Sequence, residues 1–367
     1  MSRRIDRLRP VLLLRGLRAG REHPNLVQLA AETDPERFVW RILPHAARSF
    51  ATSIVVLPKS QALAAAVGYL YCRMLDTYED LLPDKAARPD VLRLFAERFG
   101  SDPMPAAPAV DETLARDDRD RLGLLLVERC RLVDDVLATL PLVTRESIAR
   151  LVSSMAEGMA QSADIFERQG GVLVDSDQVA RYSHHVIGNP ALFILTLMGG
   201  ATPSPAQEKD ALAVSEMIQM ANITRDIEKD LSRGVGYHHT LKPFLNASGD
   251  ATKRREVVRR VREEYLGHAL AAVPAYRRLF EGSPRRLAPG ARMAAALMML
   301  HTDQHYRRCA IMTGHEPWGQ QRGKVRTVTA ALPALLSMTG ARRTLRRIEE
   351  DFLEAAARQR ALVVEAV

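Results

Sequence analysis

The sequence predicts an all-α protein, a single domain built as a bundle of about a dozen helices around a deep apolar cavity. Three observations carry that expectation. Apolar residues recur at helical spacing along most of the chain, while no run shows the alternation of a half-buried strand. No glycine-rich phosphate loop and no internal repeat interrupts the pattern. The 47% hydrophobic content of the 367 residues supplies a sizeable core, and aromatics at 5% leave it mostly aliphatic.

Met1 to Arg21 carries seven arginines and one acid, Asp6, around a short Val11-Leu12-Leu13-Leu14 core. That core is too short for a secretory or spanning segment, so residues 1–35 are expected to be an Arg-rich extension, partly disordered or a short helix, with contact to anionic lipid as the alternative. Residues 36–340 form the expected catalytic domain and residues 341–367 a terminal helix packed on it. Pro24 to Leu43 reads as one or two short helices. Leu57-Pro58-Lys59 then breaks the pattern, and Ser60 is placed to cap a helix running through Asp80. A weaker helix from Pro89 to Phe99 precedes Ser101 to Asp111, a Pro-, Ala- and Asp-rich loop inserted within one domain. Leu122 to Leu140 and Arg145 to Arg168 are periodic helices parted by Pro141, and Gly170-Gly171 ends the second. Asp177 to His185 and Ala191 to Met198 are separated by Gly188-Asn189-Pro190, a break suited to a cavity wall. Pro203-Ser204-Pro205 opens a long helix that Gly234 and Gly236 end, leaving a mobile segment. Helices are expected again over Ala251 to Phe280, Pro289 to Met312, Thr327 to Met338 and Arg342 to Val363.

Two stretches break the apolar pattern in the same way. Gly68 to Leu75 is almost wholly apolar until Arg73, and Asp76, Glu79 and Asp80 then fall along one helical stripe. Like charges one turn apart cost about 0.2–0.5 kcal/mol per pair on a bare helix, so a pocket or a cation must offset them. Gln219, Asn222, Asp226 and Asp230, at steps of three, four and four with Arg225 beside them, repeat the design. A single such stripe is ordinarily a solvated face. Two, each entered from apolar helix, suit a cage for hard divalent cations such as Mg²⁺, with Mn²⁺ as a substitute, because these take oxygen ligands and are completed by substrate phosphates.

At these residues the sequence resembles the squalene/phytoene synthase family. Arg48-Ser49-Phe50 is similar to its early Arg-Ser-Phe, Tyr69 to Asp80 to its first aspartate-rich motif, Tyr182-Ser183-His184-His185-Val186-Ile187-Gly188 to its central segment, and Gln219 to Asp230 to its second aspartate-rich motif. The order and spacing agree from Arg48 to Tyr237. After Asp230 the family's Arg-Gly-Arg-x-Tyr-x-Pro becomes Arg233-Gly234-Val235-Gly236-Tyr237-His238-His239, so one arginine and a proline are absent.

The resemblance implies an isoprenoid-synthase-type fold and the head-to-head condensation of two allylic prenyl diphosphates, farnesyl or geranylgeranyl, to a squalene- or phytoene-type product. It implies Asp76, Glu79, Asp80, Asp226 and Asp230 as metal ligands. Arg48, Ser49, Phe50, Arg73, Gln219, Asn222, Arg225 and Arg233 are the implied substrate-binding residues, and Tyr69, Tyr182, Arg73 and Arg225 the catalytic ones. Use of NADPH stays open, since the reductase-associated segment of the eukaryotic squalene synthases is not visible. Two other readings stay open: a terpene cyclase on the same scaffold, suggested by Val235, and a non-catalytic assembly protein, disfavoured by the retained aspartates. Phe50, Ile54, Leu70, Met155, Met159, Phe193 and Leu197 are candidates for an apolar lining that keeps water from a carbocation.

A net charge of +8 suits anionic partners. Basic runs such as Lys253-Arg254-Arg255 and Arg342-Arg343 lie in helical patterns and read as solvated faces, which excludes nucleic acid as the expected partner. Cys72, Cys130 and Cys309 form no paired set, so a reducing, cytoplasmic setting fits, with peripheral membrane contact as the extension that an apolar product suggests. His301 and His305 stand one turn apart, a zinc-compatible spacing without a third ligand. Oligomeric state is not legible.

Overall fold

The structure, a computed structural model, describes residues 13, 23–82, 84–282, 287–312 and 324–365. The Arg-rich extension, Leu13 apart, falls outside the described residues up to His23, as do the side chains of Ser49 and Cys309. Sixteen helices are named here: α1 (Leu26–Ala30), α2 (Pro35–Ala47), α3 (Ser49–Val55), α4 (Lys59–Leu81), α5 (Arg88–Glu97), α6 (Asp118–Glu128), α7 (Cys130–Ala138), α8 (Leu142–Arg168), α9 (Ser176–Ser183), α10 (Asn189–Gly199), α11 (Pro205–Ser232), α12 (Ala251–Ala271), α13 (Val273–Glu281), α14 (Pro289–Met312), α15 (Lys324–Leu336) and α16 (Met338–Glu365). Among the described residues there is no strand, only an isolated parallel bridge between Val172 and Gly236. The all-α class expected from the sequence is the class observed.

The chain packs as two compact units, one holding residues 1–164 with 193–201, the other residues 165–192 with 202–367. In the first, α4 is the central element: α2, α5, α6 and α7 pack against it. Ala62, Ala64, Ala65, Ala66, Val67, Leu70, Tyr71, Met74, Leu75 and Tyr78 are all buried, so the helix is enclosed on most of its circumference. Each large side chain so enclosed contributes roughly 1.5–3 kcal/mol. In the second unit α11 holds the same place, with α12, α13 and α14 against it, while α14, α15 and α16 pack on one another.

The caps show where local chemistry decides. Pro205 at the first turn follows Ser204, whose hydroxyl accepts from the Gln207 amide while the Gln207 side chain accepts from the Ser204 amide, a reciprocal capping box. At α4 the expectation is corrected: Pro58 is the N-cap, its carbonyl accepting from Ala62 N at 2.7 Å, and Ser60 lies exposed inside the first turn. Two expected long helices are each split. Residues 122–140 divide at Arg129 into α6 and α7, with Asp117 capping α6 four residues earlier than expected. The helix after Ala251 divides at Ala272, since Pro274 cannot continue the hydrogen-bond ladder. The break expected at Gly188-Asn189-Pro190 is also different. His184 to Gly188 form one π-helical turn that carries α9 into α10, absorbing the proline's missing donor without leaving helical conformation. Gly188 packs closely there: a Cβ would stand 2.9 Å from Leu212 Cδ2, so the leucine would have to shift.

Candidate active site

On α4 the half-exposed positions within the motif fall on one stripe. Tyr69, Arg73, Asp76 and Asp80, at steps of four, three and four, are half-exposed, with Glu79 beside them, and the positions between are buried apart from these. Arg73 donates to Asp76 at 2.6 Å, with 17% and 27% of the two side chains exposed. Burial pushes the Asp76 carboxyl above its usual range; Arg73 pulls it back and the like charge of Asp80 adds to the rise. Burial likewise raises the Tyr69 hydroxyl, with Arg73 acting against it. Burial works against the Arg73 charge, but Asp76, Tyr69 and Asp80 together hold it more firmly charged than a free guanidinium. Phe50, on α3, lies with its ring centroid 6.3 Å from that of Tyr69.

Arg48 stands at the junction of α2 and α3 with φ 50° and ψ −110°, a conformation costly for any residue with a Cβ. The chain turns sharply there, so that α3 leaves α2 with no spacer between them.

Behind the stripe α4 is braced by hydroxyls. Tyr78 donates to Pro108 O at 2.7 Å, and Tyr71 donates to Asp134 at 2.8 Å. Asp134 also receives Arg98 at 2.7 Å, an ion pair with 2% and 4% of the side chains exposed, and Arg98 reaches Pro105 O at 2.8 Å. The Pro-rich segment thus backs the motif helix. A cavity of about 890 Å³ lies on that side, lined among others by Val27, Met104, Pro105 and Leu124, and it includes no predicted site residue.

On α11 the second stripe is arranged in a similar way. Gln219 is buried and accepts from Asn222 Nδ2 at 3.3 Å; Asp226 and Asp230 follow, both half-exposed. Arg225 forks onto Asp226 with contacts of 2.8 and 2.5 Å. Glu228, the alternative partner for Arg225, is instead held by the buried Arg262 of α12, which also donates to Thr224 O at 2.9 Å. Arg233 ends the helix as its C-cap, its amide donating to Asp230 O at 2.9 Å.

Past Arg233 the segment expected to be mobile is pinned. Gly236 N donates to Gly171 O at 2.8 Å and Leu173 N to Gly236 O at 2.9 Å. The pinning brings Tyr237 to Tyr182: their hydroxyls are 3.3 Å apart and the ring centroids 5.3 Å, with Phe166 edge-on to both. Tyr265 fixes the far side by donating to Tyr237 O.

Several of these residues escaped the sequence reading. Arg119, in the first turn of α6, sits close enough to bear on both Tyr69 and Asp76. Arg88 feels Glu79, Asp80 and Arg116, and forks onto Leu82 O with bonds of 2.9 and 2.7 Å. The signal for Arg119 was present as Arg116-x-x-Arg119 before an apolar run, but it lies in the mixed-charge Arg116 to Arg121 stretch and reads as solvated. Tyr237 falls on the tyrosine of the Arg-Gly-Arg-x-Tyr pattern, whereas Arg262 has only a tertiary signal.

Among the apolar candidates Ile54, Leu70, Met155, Met159 and Phe193 are buried. Leu197 is half-exposed, as are Leu192, Ile194, Leu195 and Met198, so α10 is an apolar helix with water-accessible hydrocarbon along much of its length. Free Cys72 is buried with its thiol pushed up by burial, which leaves it inert. His184 pairs with Glu216 at 2.7 Å, and His238 stacks on His239. His301 is buried on α14 with His305 half-buried one turn on. Among the described residues no three His, Cys, Asp or Glu side chains converge as a metal cluster.

The sequence profile described as squalene/phytoene synthase matches residues 43–313. A presqualene diphosphate synthase from Botryococcus braunii is 26% identical over 226 residues, covering 58% of this chain and 52% of that protein, so the chain spans about half the length of this relative. Two solved structures of TcSQS, one with the ligand BPH1237 and one with E5700, match with TM-scores of 0.61 and 0.60 at 18% and 16% identity. Both cover 89% of this chain, and 100% and 99% of the TcSQS chains. At that identity the likeness shows the fold alone.

Proposed function

The chain belongs to the squalene/phytoene synthase family, and from that premise we propose that it is a prenyltransferase joining two allylic prenyl diphosphates head to head. In the step proposed, the donor's C–O bond to diphosphate breaks and its first carbon closes a cyclopropane across the acceptor's allylic double bond. One proton leaves, and the acceptor keeps its diphosphate. The name of the Botryococcus relative supports a cyclopropylcarbinyl diphosphate as the product of that step.

The observation that carries the proposal is the stripe on α4, where Tyr69, Arg73, Asp76 and Asp80 are the half-open face of a helix otherwise enclosed in apolar packing. A soluble protein does not ordinarily place two carboxylates and an arginine there without a charged ligand to meet them. The oxygen-only donor sets fit Mg²⁺ or Mn²⁺, which one or two carboxylates and substrate phosphates suffice to hold. Asp76 and Asp80 with Glu79, and Asp226 with Asp230, are the residues that would hold it, and when bound it neutralises the diphosphate leaving group. Arg73 and Arg225, now on Asp76 and Asp226, have the fork geometry to transfer to phosphate oxygens. Arg48, Ser49, Phe50, Gln219, Asn222 and Arg233 position the substrates. Tyr69 and Tyr182, with the Tyr237 hydroxyl 3.3 Å from that of Tyr182, are the groups we assign to facing a cation or taking its proton. The half-exposed hydrocarbon of α10 suits prenyl chains.

Incubation with farnesyl or geranylgeranyl diphosphate, with Mg²⁺ and with or without NADPH, followed by mass spectrometry of the extract, tests the reading. A dimeric cyclopropyl diphosphate, or a squalene- or phytoene-type hydrocarbon, is the expected product. A cyclic product from a single prenyl diphosphate would replace it with the cyclase reading.

A further inference from the structure

Helix α15 is amphipathic in an unusual sense, since it buries small residues and exposes large apolar ones. Thr327, Val328, Ala331 and Ala334 face inward, between 0% and 8% exposed. Val325, Leu332 and Leu336 are 64%, 43% and 81% exposed. With Thr329 these follow steps of four, three and four, which places all of them on one outward face. A basic rim adjoins that face. Arg326 is exposed beside it, and Arg342, Arg343, Arg346 and Arg347 are exposed on the first turns of α16. Between Lys324 and Ile348 the sequence holds six basic residues and no acidic one. Among the described residues none of those five arginines has an ion-pair partner.

The corner between the two helices is rigid. A Cβ on Gly340 would stand 2.0 Å from Pro333 O, so the first turn of α16 crosses the last turn of α15 at backbone contact. Ser337 Oγ accepts from Gly340 N at 2.9 Å to start α16, and Arg292 clamps the end of α15 by donating to Ala334 O and Leu335 O at 3.0 Å each. Leu336 is therefore fixed at the tip, with the α16 arginines starting within two turns of it.

We propose that this corner is a membrane-docking surface, with Val325, Leu332 and Leu336 entering the interface of an anionic phospholipid bilayer and the five arginines lying on its head groups. Exposed apolar side chains flanked by exposed arginines are the pattern of an interfacial helix, which gains from hydrocarbon burial and from lipid charge together. A second copy of the chain fits less well, because a self-complementary pairing would set the arginine cluster against its own image. No described helix is long and apolar enough to cross a membrane.

Cosedimentation of the full chain with vesicles tests this without substrate, so its outcome is independent of the catalytic reading. Binding to vesicles of phosphatidylglycerol and phosphatidylcholine in equal parts is expected, with little to phosphatidylcholine alone. Arg342→Gln and Arg343→Gln should each lower the partition about fivefold, the contribution of one basic side chain near an anionic surface. Leu332→Asp with Leu336→Asp should abolish it, with melting temperature and diphosphate release from soluble substrate unchanged. Binding that ignores lipid charge or survives the double aspartate variant would overturn the proposal. So would absence of binding in a wild-type chain that sediments as a dimer which Leu336→Asp dissociates, since the face would then serve a second copy.

Discussion

Helices α4 and α11 present similar stripes but are supported in different ways. Each places an arginine on the first aspartate of its stripe, Arg73 on Asp76 and Arg225 on Asp226. Behind α4 the support is a buried network: Tyr71 and Arg98 both meet Asp134, and Tyr78 holds the Pro-rich segment. Behind α11, Arg262 reaches a backbone carbonyl and a glutamate that is itself 54% exposed, and Tyr306 donates to Met217 O. The first arrangement excludes water and fixes geometry through several partners; the second leaves its anion wet. The faces of the two helices are thus alike in residue type, whereas each helix's back is held by whatever packs there.

The largest expected effect lies on the faces. Asp80→Ala and Asp226→Ala should each reduce Mg²⁺-dependent diphosphate release by about 10³-fold or more, the scale of losing a charge-stabilising group in a leaving-group site. Release assays at saturating Mg²⁺ measure it. Full turnover in either variant would mean that the carboxylates are misassigned and the similarity of the two faces is accidental.

The backs should then differ in stability. Asp134→Ala leaves Arg98 charged, 2% exposed and without its carboxylate, so a loss of about 3–5 kcal/mol is expected. Arg262→Met removes a pair whose anion is half in water and should cost about 1–2 kcal/mol, part of it the donor lost at Thr224 O. Urea unfolding compares the two directly. Equal losses would contradict the contrast between a dry and a wet support.

A third effect concerns the segment that follows α11. Gly171 has φ +93°, and a Cβ would stand 2.6 Å from Gly234 O, so Gly171→Ala should cost about 1–3 kcal/mol and loosen the bridge to Gly236. Faster amide exchange at Gly236 and Leu173, with no change at the α4 amides, is the expected signature. Unchanged exchange at both would show that the bridge does not depend on this glycine.

Most of the stripe chemistry was legible because it is local. Steps of three and four put Asp76, Asp80, Asp226 and Asp230 on single faces whatever the tertiary structure, and the enclosed character of α4 followed from its unbroken apolar run. The start of α11 after Pro203-Ser204 was legible for the same reason. What failed depended on distant partners or on fine competition between neighbours. Ser60 lost the cap to Pro58 within two residues; Arg129 and Pro274 divided helices whose apolar period runs on. Gly234 and Gly236 looked loose because nothing local shows that Gly171 and Leu173, over sixty residues earlier, supply the hydrogen bonds of Gly236. Arg119 and Arg262 are ordinary surface arginines by pattern, and reach the stripe helices only because α6 and α12 pack on α4 and α11.

The smallest expected effect lies where the two helices end. Past α4 the chain leaves through Leu82, which carries no titrating group, while past α11 it reaches His238, whose side chain is 15% exposed. Burial lowers the His238 pKa; Glu264, 3.3 Å away, opposes that and the stacked His239 adds to it, with the Tyr265 ring edge-on. The lowered value fixes the sign. Above the ordinary histidine range, about 6.5, both states are neutral and the full stability is present. As pH falls below it the unfolded chain takes the proton first, so stability drops until the folded value is passed. His238→Gln should therefore flatten the urea midpoint against pH as pH falls below about 6.5. A steeper slope in the variant would mean that Glu264 outweighs burial and that the charged imidazole is the form the fold prefers.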